Sequence, residues 1–241
     1  MEQGCRRRQG VKAKLCLLLA LALGLLVSKA ARAEPFELAE GAGEPGVVVY
    51  PARAPGPHRI TVALHGMCGS PVNICRVFAE QVTEDEHLVC PRATGRCDGG
   101  GAIWPQLGFE RQIEQAVQRA EAALGARVDE SHGRTLIGYS LGAFRALELA
   151  QHGAGKYPRV MLIGAKIYPN QKLLRENGVE RLLMSAGAWD MMHDHMQKET
   201  QRLSRSGFTT RFLGLGPVGH FFTPSFAQYL PDALSWLDGQ S

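Results

Sequence analysis

Residues 135–150 read TLIGYSLGAFRALELA, and this stretch decides the fold. Its first three residues are apolar or β-branched, as in a buried strand, and the segment from Leu141 has the composition of a helix. Between them Ser140 stands in the sequence GYSLG. Small residues on both sides allow a sharp turn that holds a side chain out at the carboxyl end of a parallel strand. The stretch therefore predicts a strand–turn–helix unit with an exposed serine hydroxyl.

The same alternation of apolar runs and helical segments continues along most of the chain. Six runs predict buried strands, at 60–64, 87–90, 135–138, 160–164, 182–186 and 210–214. The segments between them predict helices over 72–83, 109–124, 141–152, 171–177, 191–206 and 225–237. Apolar strands joined by helices are typical of a parallel sheet covered on both faces. We therefore expect an α/β fold, a three-layer α/β/α sandwich with a mostly parallel, doubly wound sheet.

Residues 1–33 have the pattern of a secretory signal peptide. Basic residues precede the uncharged apolar run 15–27, and Ala31-Arg32-Ala33 supplies a cleavage site with small residues. The apolar run is shorter than the ~20 residues that a membrane-crossing helix needs, so no stable membrane anchor is expected. The pattern predicts an exported protein, secreted or periplasmic, that begins near Glu34. Residues 34–57, rich in Gly, Ala and Pro, predict a flexible lead-in with one edge strand at 47–50, and residues 58–241 predict one domain.

The net charge of the chain depends on this leader. Residues 1–33 hold seven of the 27 Lys and Arg and one of the 23 Asp and Glu. The remainder therefore has 20 basic and 22 acidic side chains, a net charge of −2. It lacks the basic excess typical of nucleic-acid-binding proteins, and no nucleic acid is expected as a partner.

Four cysteines lie beyond the leader: Cys68, Cys75, Cys90 and Cys97. In an exported chain four cysteines indicate disulfides, with three possible connectivities. The equal spacings favour two local pairs, Cys68 with Cys75 and Cys90 with Cys97. Zinc is the competing hypothesis, but six residues separate the members of each pair, more than in common zinc sites. We therefore expect disulfides and no metal.

A serine hydroxyl becomes a strong nucleophile only when a base takes its proton. His220 follows the last predicted strand, at the sheet edge that also carries Ser140, and is the candidate base. His152 lies at the far end of the helix after Ser140, ~18 Å away. His193 and His195 fall within a predicted helix.

A carboxylate that accepts the second imidazole N–H would orient the base. Asp190 follows the strand 182–186 and is the candidate, with Asp194 as the alternative further from the strand end. A metal site is also suggested by the cluster of Asp190, His193, Asp194 and His195. On a helix His195 would leave the face that the other three share, so no metal is expected here.

Backbone amides are expected to stabilise a developing oxyanion. The candidate donors are Leu141, directly after the serine, and Met67 in the loop HGMCGS after the strand 60–64. Four aromatic residues are candidate substrate contacts or, equally, core residues: Trp104, Tyr139, Trp189 and Phe221.

The motifs LHGM at 64–67, GYSLG at 138–142, WD at 189–190 and GHF at 219–221 occur in this order. With them the chain resembles the α/β-hydrolase-fold family over nearly all of residues 58–238. The resemblance implies Ser140 as nucleophile, Asp190 as acid and His220 as base, with the Met67 and Leu141 amides as oxyanion donors. The resemblance indicates the reaction mechanism but not the substrate, because the family has many chemistries on one scaffold.

Two features differ from many members of the family. Only residues 166–181 separate the strands 160–164 and 182–186, which leaves room for one helix and no lid domain. An open pocket argues against a lipase activated at interfaces. The paired cysteines are also not general features of the family.

The hypothesis from the sequence is a secreted serine hydrolase that cleaves a small carboxylic ester through an acyl-enzyme, without a cofactor. A peptidase or a thioesterase would use the same groups. A non-catalytic secreted binding module on the same fold is the alternative from another class. A thiol–disulfide protein is disfavoured, because the sequence contains no Cys-x-x-Cys.

Overall fold

The computed structural model describes residues 34–41 and 44–240, so the predicted signal peptide lies outside the described residues. The strands are β1 (Phe36–Leu38), β2 (Val47–Tyr50), β3 (Ile60–Leu64), β4 (His87–Pro91), β5 (Gly95–Arg96), β6 (Ala102–Ile103), β7 (Thr135–Tyr139), β8 (Arg159–Ile163), β9 (Arg181–Ala186) and β10 (Thr210–Gly214). The α-helices are α1 (Pro71–Val82), α2 (Phe109–Leu124), α3 (Leu141–His152), α4 (Gln171–Glu176), α5 (His193–Arg205) and α6 (Leu230–Leu237). Within the described residues, 3₁₀ helices cover Gly125–Arg127 and Pro224–Tyr229.

One sheet contains eight of these strands, in the order β1-β2-β4-β3-β7-β8-β9-β10. The pairs from β4 to β10 are all parallel, whereas β1–β2 and β2–β4 are antiparallel. The chain moves outward from β3 in both directions, so the sheet is doubly wound. The predicted fold class is confirmed. Strands β5 and β6 form a separate antiparallel hairpin.

Side chains of the central strands alternate between two apolar cores. In β8, Val160 and Leu162 pack in the core that α2, α3 and α5 cover, whereas Met161 and Ile163 face the core under α1 and α6. Each buried aliphatic side chain of this kind contributes about 1.5–3 kcal/mol of transfer free energy. Two such faces explain why the strands are apolar at consecutive positions.

The connection between β8 and β9 contains only α4, a helix of six residues. The described chain has no lid domain at this point, as the short connection in the sequence predicted. None of the helices in residues 34–41 and 44–240 is long and apolar enough to cross a membrane.

Strands β1 and β2, within residues 34–57, belong to the sheet, whereas the sequence predicted a flexible lead-in with one edge strand at 47–50. Strand β2 pairs with both β1 and β4, so β1 is the edge strand and β2 is interior. The three valines of β2 are buried, as expected for a strand covered on both faces. The strand at 47–50 was predicted, but the Gly- and Pro-rich sequence around it gave no sign of β1, which pairs with β2 and makes it interior.

Two helices begin more than one residue away from the predicted position. The predicted helix 225–237 is a 3₁₀ helix followed by α6, because Pro231 lacks the N–H that would continue an α-helix backwards. Helix α5 begins at His193 rather than at 191. Before it the chain makes a turn in which the Asp190 side chain accepts a hydrogen bond from the Met192 amide at 2.9 Å.

The disulfides join Cys68 to Cys97 and Cys75 to Cys90, so the predicted local pairs are wrong. Cys75 lies on the buried face of α1, which packs on the sheet face where Cys90 projects from β4. Cys68 lies before α1, in the loop after β3, and meets Cys97 of the β5–β6 hairpin. Equal spacing in the sequence carried no information about these tertiary contacts.

Candidate active site

Ser140 forms the turn between β7 and α3, with φ 54° and ψ −118°. Few L-residues adopt positive φ, and the surrounding glycines make the turn possible. A Cβ at Gly138 would lie 2.5 Å from the Gly142 carbonyl oxygen, and a Cβ at Gly142 would lie 2.3 Å from that of Leu64. Only glycine fits at both positions, so close backbone packing requires the two glycines of GYSLG.

Three of the residues selected from the sequence form one hydrogen-bonded row. The Ser140 Oγ lies 2.9 Å from Nε2 of His220, and Nδ1 of His220 lies 2.8 Å from Oδ2 of Asp190. The Asp190 side chain is 3% exposed and that of His220 is 41% exposed. A buried carboxylate at Nδ1 favours the tautomer in which Nε2 is free to accept a proton. The arrangement can therefore remove the proton from the serine hydroxyl.

Gly164, at the end of β8, provides the space for the imidazole and the carboxylate. Its φ is 61°, and a Cβ there would lie 3.0 Å from both Asp190 Oδ2 and His220 Cε1. The loops that carry these two side chains are joined by a hydrogen bond from the Trp189 amide to the Val218 carbonyl, at 3.0 Å. The pair is thus fixed by contacts of three different loops.

Tyr139 has a role that the sequence did not indicate. Its hydroxyl donates a hydrogen bond to the carbonyl of His220 at 2.8 Å, and its ring stacks on the imidazole with centroids 5.2 Å apart. Burial, with a smaller contribution from the charge of Asp190, raises the pKa of Tyr139, so the phenol stays a neutral donor. Tyr139 was a candidate substrate contact or core residue, and its observed contacts hold the His220 loop.

The loop 65–70 lies directly against Ser140. A Cβ at Gly66 would be 3.2 Å from the Ser140 Cβ, and Met67 follows Gly66. Leu141 is the first residue of α3, where backbone N–H groups have no partner within the helix. Among the described residues, neither the Met67 nor the Leu141 amide donates a hydrogen bond, so both are available to a ligand oxygen.

His65 and Trp104 form the base of this loop. The backbone N–H of Ala93 donates to His65 Nε2 at 3.3 Å, which assigns the proton to Nδ1 and makes it a donor to the Gly66 carbonyl at 2.8 Å. Burial lowers the pKa of His65, so the ring is neutral. Trp104 stacks on this ring and donates from Nε1 to the His65 carbonyl at 2.8 Å. Trp104 is only 3% exposed, which fits the second of its two predicted places, the core.

Exposed apolar side chains lie on the loops that follow the parallel strands. We call five of them the apolar collar: Met67, Tyr168, Trp189, Met191 and Phe221. They belong to the loops that follow β3, β8, β9 and β10. These loops lie at the carboxyl ends of the parallel strands, where Ser140 also lies. Trp189, at 74% exposed, and Phe221, at 60%, are the two predicted substrate contacts that are open to solvent.

The residues of the suggested metal cluster make separate contacts. His193 bonds to Asp194 at 3.0 Å, and His195 bonds to the Ile167 carbonyl at 2.7 Å. Asp190, not Asp194, contacts His220. In the part of the chain that the structure describes, no group of three or more His, Cys, Asp or Glu is arranged to hold a metal ion.

Solved structures with a similar fold include several hydrolases. The substrate-bound fluorophosphonate-binding serine hydrolase FphF of Staphylococcus aureus superposes with a TM-score of 0.64 at 14% identity, covering 85% of this chain and 98% of that one. Esterase PE8 gives 0.64 at 16% identity, with 80% and 99% covered. A ferulic acid esterase gives 0.63 at 16%, with 86% and 98% covered. No family model and no curated protein matches the sequence. The likeness to these structures shows that the chain has the α/β-hydrolase fold.

Proposed function

We propose that this protein is a serine hydrolase that cleaves carboxylic esters of small molecules. The observation that carries the proposal is the continuous row of hydrogen bonds from Ser140 through His220 to Asp190, at 2.9 and 2.8 Å. The esterases and serine hydrolases with the same fold support the reaction class, because their names describe this chemistry.

The proposed reaction has two halves. The Ser140 Oγ attacks the ester carbonyl carbon while Nε2 of His220 takes the hydroxyl proton and then returns it to the leaving alcohol. The amides of Met67 and Leu141 donate to the oxyanion that forms. Water then attacks the acyl-enzyme, with His220 again moving the proton. Asp190 stays ionised and stabilises the imidazolium.

The apolar collar supports an ester with an apolar acyl or alcohol group. Side chains such as Trp189 and Phe221 gain free energy by covering apolar surface, at about 25 cal/mol per Å². In Trp189→Ala we expect the KM for a long-chain ester to rise about tenfold while the KM for an acetate ester changes less than twofold. Equal changes for both esters would contradict this role of the collar.

We also propose that the protein works outside the cytoplasm, secreted or periplasmic. Two disulfides are characteristic of oxidising compartments. The signal-peptide pattern of residues 1–33 supports the same location.

Hydrolysis of a series of p-nitrophenyl esters by the parent protein and by Ser140→Ala tests the function. We expect kcat/KM to fall at least a thousandfold in the variant, with the fold unchanged by circular dichroism. A fluorophosphonate probe should label the parent at Ser140 and leave the variant unlabelled. Parallel thioester and peptide substrates separate the esterase from the thioesterase and peptidase alternatives. No turnover and no labelling of the parent would favour the non-catalytic binding module.

A further inference from the structure

The two disulfides lie in different surroundings. Cys75 and Cys90 are fully buried between α1 and β4. Cys68 is exposed and Cys97 is partly exposed, in the loop after β3 and in the β5–β6 hairpin. A reductant dissolved in water can therefore reach Cys68–Cys97 while the core protects Cys75–Cys90.

The exposed disulfide begins at the residue after Met67. Cys68 has φ 52°, a left-handed conformation that non-glycine residues adopt rarely and at a cost in free energy. The backbone of Gly101 packs against it so closely that a Cβ there would lie 2.1 Å from the Cys68 carbonyl oxygen. The Ala102 amide also donates to the Gly69 carbonyl at 2.9 Å. The hairpin thus fixes the loop on the distal side of Met67.

The hairpin is weak by itself. Its strands have two residues each, and its turn is closed by hydrogen bonds between Cys97 and Gly100 and between Cys97 and Gly101. Isolated two-stranded hairpins are at most marginally stable in water. The Cys68–Cys97 bond is the covalent link between this hairpin and the loop.

The proximal side of Met67 is fixed by other contacts. The Gly66 carbonyl accepts hydrogen bonds from His65 Nδ1 at 2.8 Å and from the Gly69 amide at 3.1 Å. The Met67 amide therefore lies between a segment held by the core and a segment held by the disulfide. Loss of the disulfide weakens the second support, which then depends on the hydrogen bonds of Gly69 with Gly66 and with Ala102.

We propose that the Cys68–Cys97 disulfide positions the Met67 amide as an oxyanion donor, and that a dithiol reductant lowers turnover by opening it while Cys75–Cys90 stays closed. This inference rests on the proposed function. In the step, the reductant's two thiols become one disulfide, and Cys68 and Cys97 each take up one electron and one proton. The oxyanion exists only after attack on the carbonyl, so a displaced donor lowers kcat more than it changes KM.

The test compares Cys68→Ala/Cys97→Ala with the matched control Cys75→Ala/Cys90→Ala, with each folded variant assayed on a p-nitrophenyl ester. We expect kcat to fall at least tenfold in the first variant, with KM within twofold of the parent, because removal of one whole oxyanion donor costs about 10²–10³ in kcat. The control should keep kcat within twofold. A merely structural role of Cys68–Cys97 would lower the melting temperature without this separation of kcat from KM.

Titration of the parent protein with dithiothreitol gives a second readout that needs no variant. Mass spectrometry after alkylation reports which cysteines are free at each concentration. We expect turnover to fall as Cys68 and Cys97 become alkylated, with Cys75 and Cys90 still protected, and to return after reoxidation of unalkylated samples.

Two outcomes contradict the inference, and only the second also contradicts the proposed function. If the oxidised parent hydrolyses esters in a Ser140-dependent way and kcat survives the opening of Cys68–Cys97, the inference alone is wrong. If the oxidised parent neither hydrolyses esters nor reacts with the fluorophosphonate probe, the proposed function fails together with it.

Discussion

Ser140 combines an exposed hydroxyl with a backbone conformation, φ 54° and ψ −118°, that costs a non-glycine residue about 1–3 kcal/mol. The neighbouring glycines and the hydrogen bond from the Ser140 amide to the Ile163 carbonyl, at 2.9 Å, maintain this conformation. The serine position is therefore unfavourable for stability and favourable for presenting Oγ to a ligand.

Ser140→Gly should stabilise the fold while it removes the hydroxyl. Glycine adopts positive φ without a steric conflict at Cβ, which stabilises the folded state. The larger conformational entropy of glycine in the unfolded state offsets part of this gain, so we expect the free energy of unfolding to rise by about 1 kcal/mol. Urea denaturation measures it. Ser140→Ala is the control, because it also lacks the hydroxyl but keeps the Cβ. Equal unfolding free energies for the two variants would contradict the assigned strain.

Gly164→Ala should impair the reaction through the His220–Asp190 pair. The new methyl group would lie 3.0 Å from both side chains, and a displacement of the pair lowers kcat, by about 10- to 100-fold on our expectation. Gly207→Ala is the matched control: its φ of 76° also lies in the left-handed region, but the nearest atom is an Arg175 side-chain nitrogen at 3.9 Å. If both variants lose kcat equally, the effect is general destabilisation.

At the scale of elements, the sequence predicts β3, α2, α3 and β10 to the residue, because each has a clear apolar period between turn residues. The β5–β6 hairpin has no such pattern, since tertiary contacts with the loop after β3 hold its two-residue strands. The order of the predicted strands also placed Ser140, Asp190 and His220 together at the carboxyl ends of the parallel strands. The hydrogen bond of Tyr139 and the burial of Trp104 depend on tertiary packing and have no sequence pattern.

The disulfide between α1 and β4 should contribute more stability than the exposed one. Loop-closure entropy alone favours the longer loop, about 3.5 kcal/mol for Cys68–Cys97 against about 3 kcal/mol for Cys75–Cys90. However, opening Cys68–Cys97 also frees the hairpin in the native state, which offsets part of that loss. We expect thermal unfolding to show a larger decrease for Cys75→Ala/Cys90→Ala, about 6–12 °C. The reverse order would contradict this account of the hairpin.

For the whole molecule, two buried histidines link stability to pH. His87 Nδ1 accepts from the Ala52 amide at 2.9 Å and Nε2 donates to the Arg127 carbonyl at 2.8 Å. Burial lowers the pKa of both His65 and His87. Both rings are therefore neutral in the folded protein at pH values where the unfolded chain already binds protons.

The free energy of unfolding should fall as the pH drops below about 6.5, the ordinary histidine pKa. The unfolded state then takes up protons that the folded state excludes, with a slope of up to about 1.4 kcal/mol per pH unit for each histidine until its folded pKa is reached. Burial raises the pKa of Glu121, which increases the free energy of unfolding as the pH falls. This is one group, against the two histidines that have the opposite effect. Urea denaturation at pH 5.5 and 7.5 measures the difference, with pH 8.5 as the plateau control. A higher stability at pH 5.5 than at 7.5 would contradict the prediction.

On a hydrophobic resin or a polystyrene well, the protein should lie with the apolar collar against the solid, because large exposed apolar side chains adsorb first. Ser140 lies at the same end of the parallel strands, so in an adsorbed molecule the serine would face the support and dissolved esters could not reach it. Lys156 precedes β8, at the opposite end of the parallel strands, and its side chain is half exposed. A tether at Lys156 would orient the same protein with its serine toward the solution.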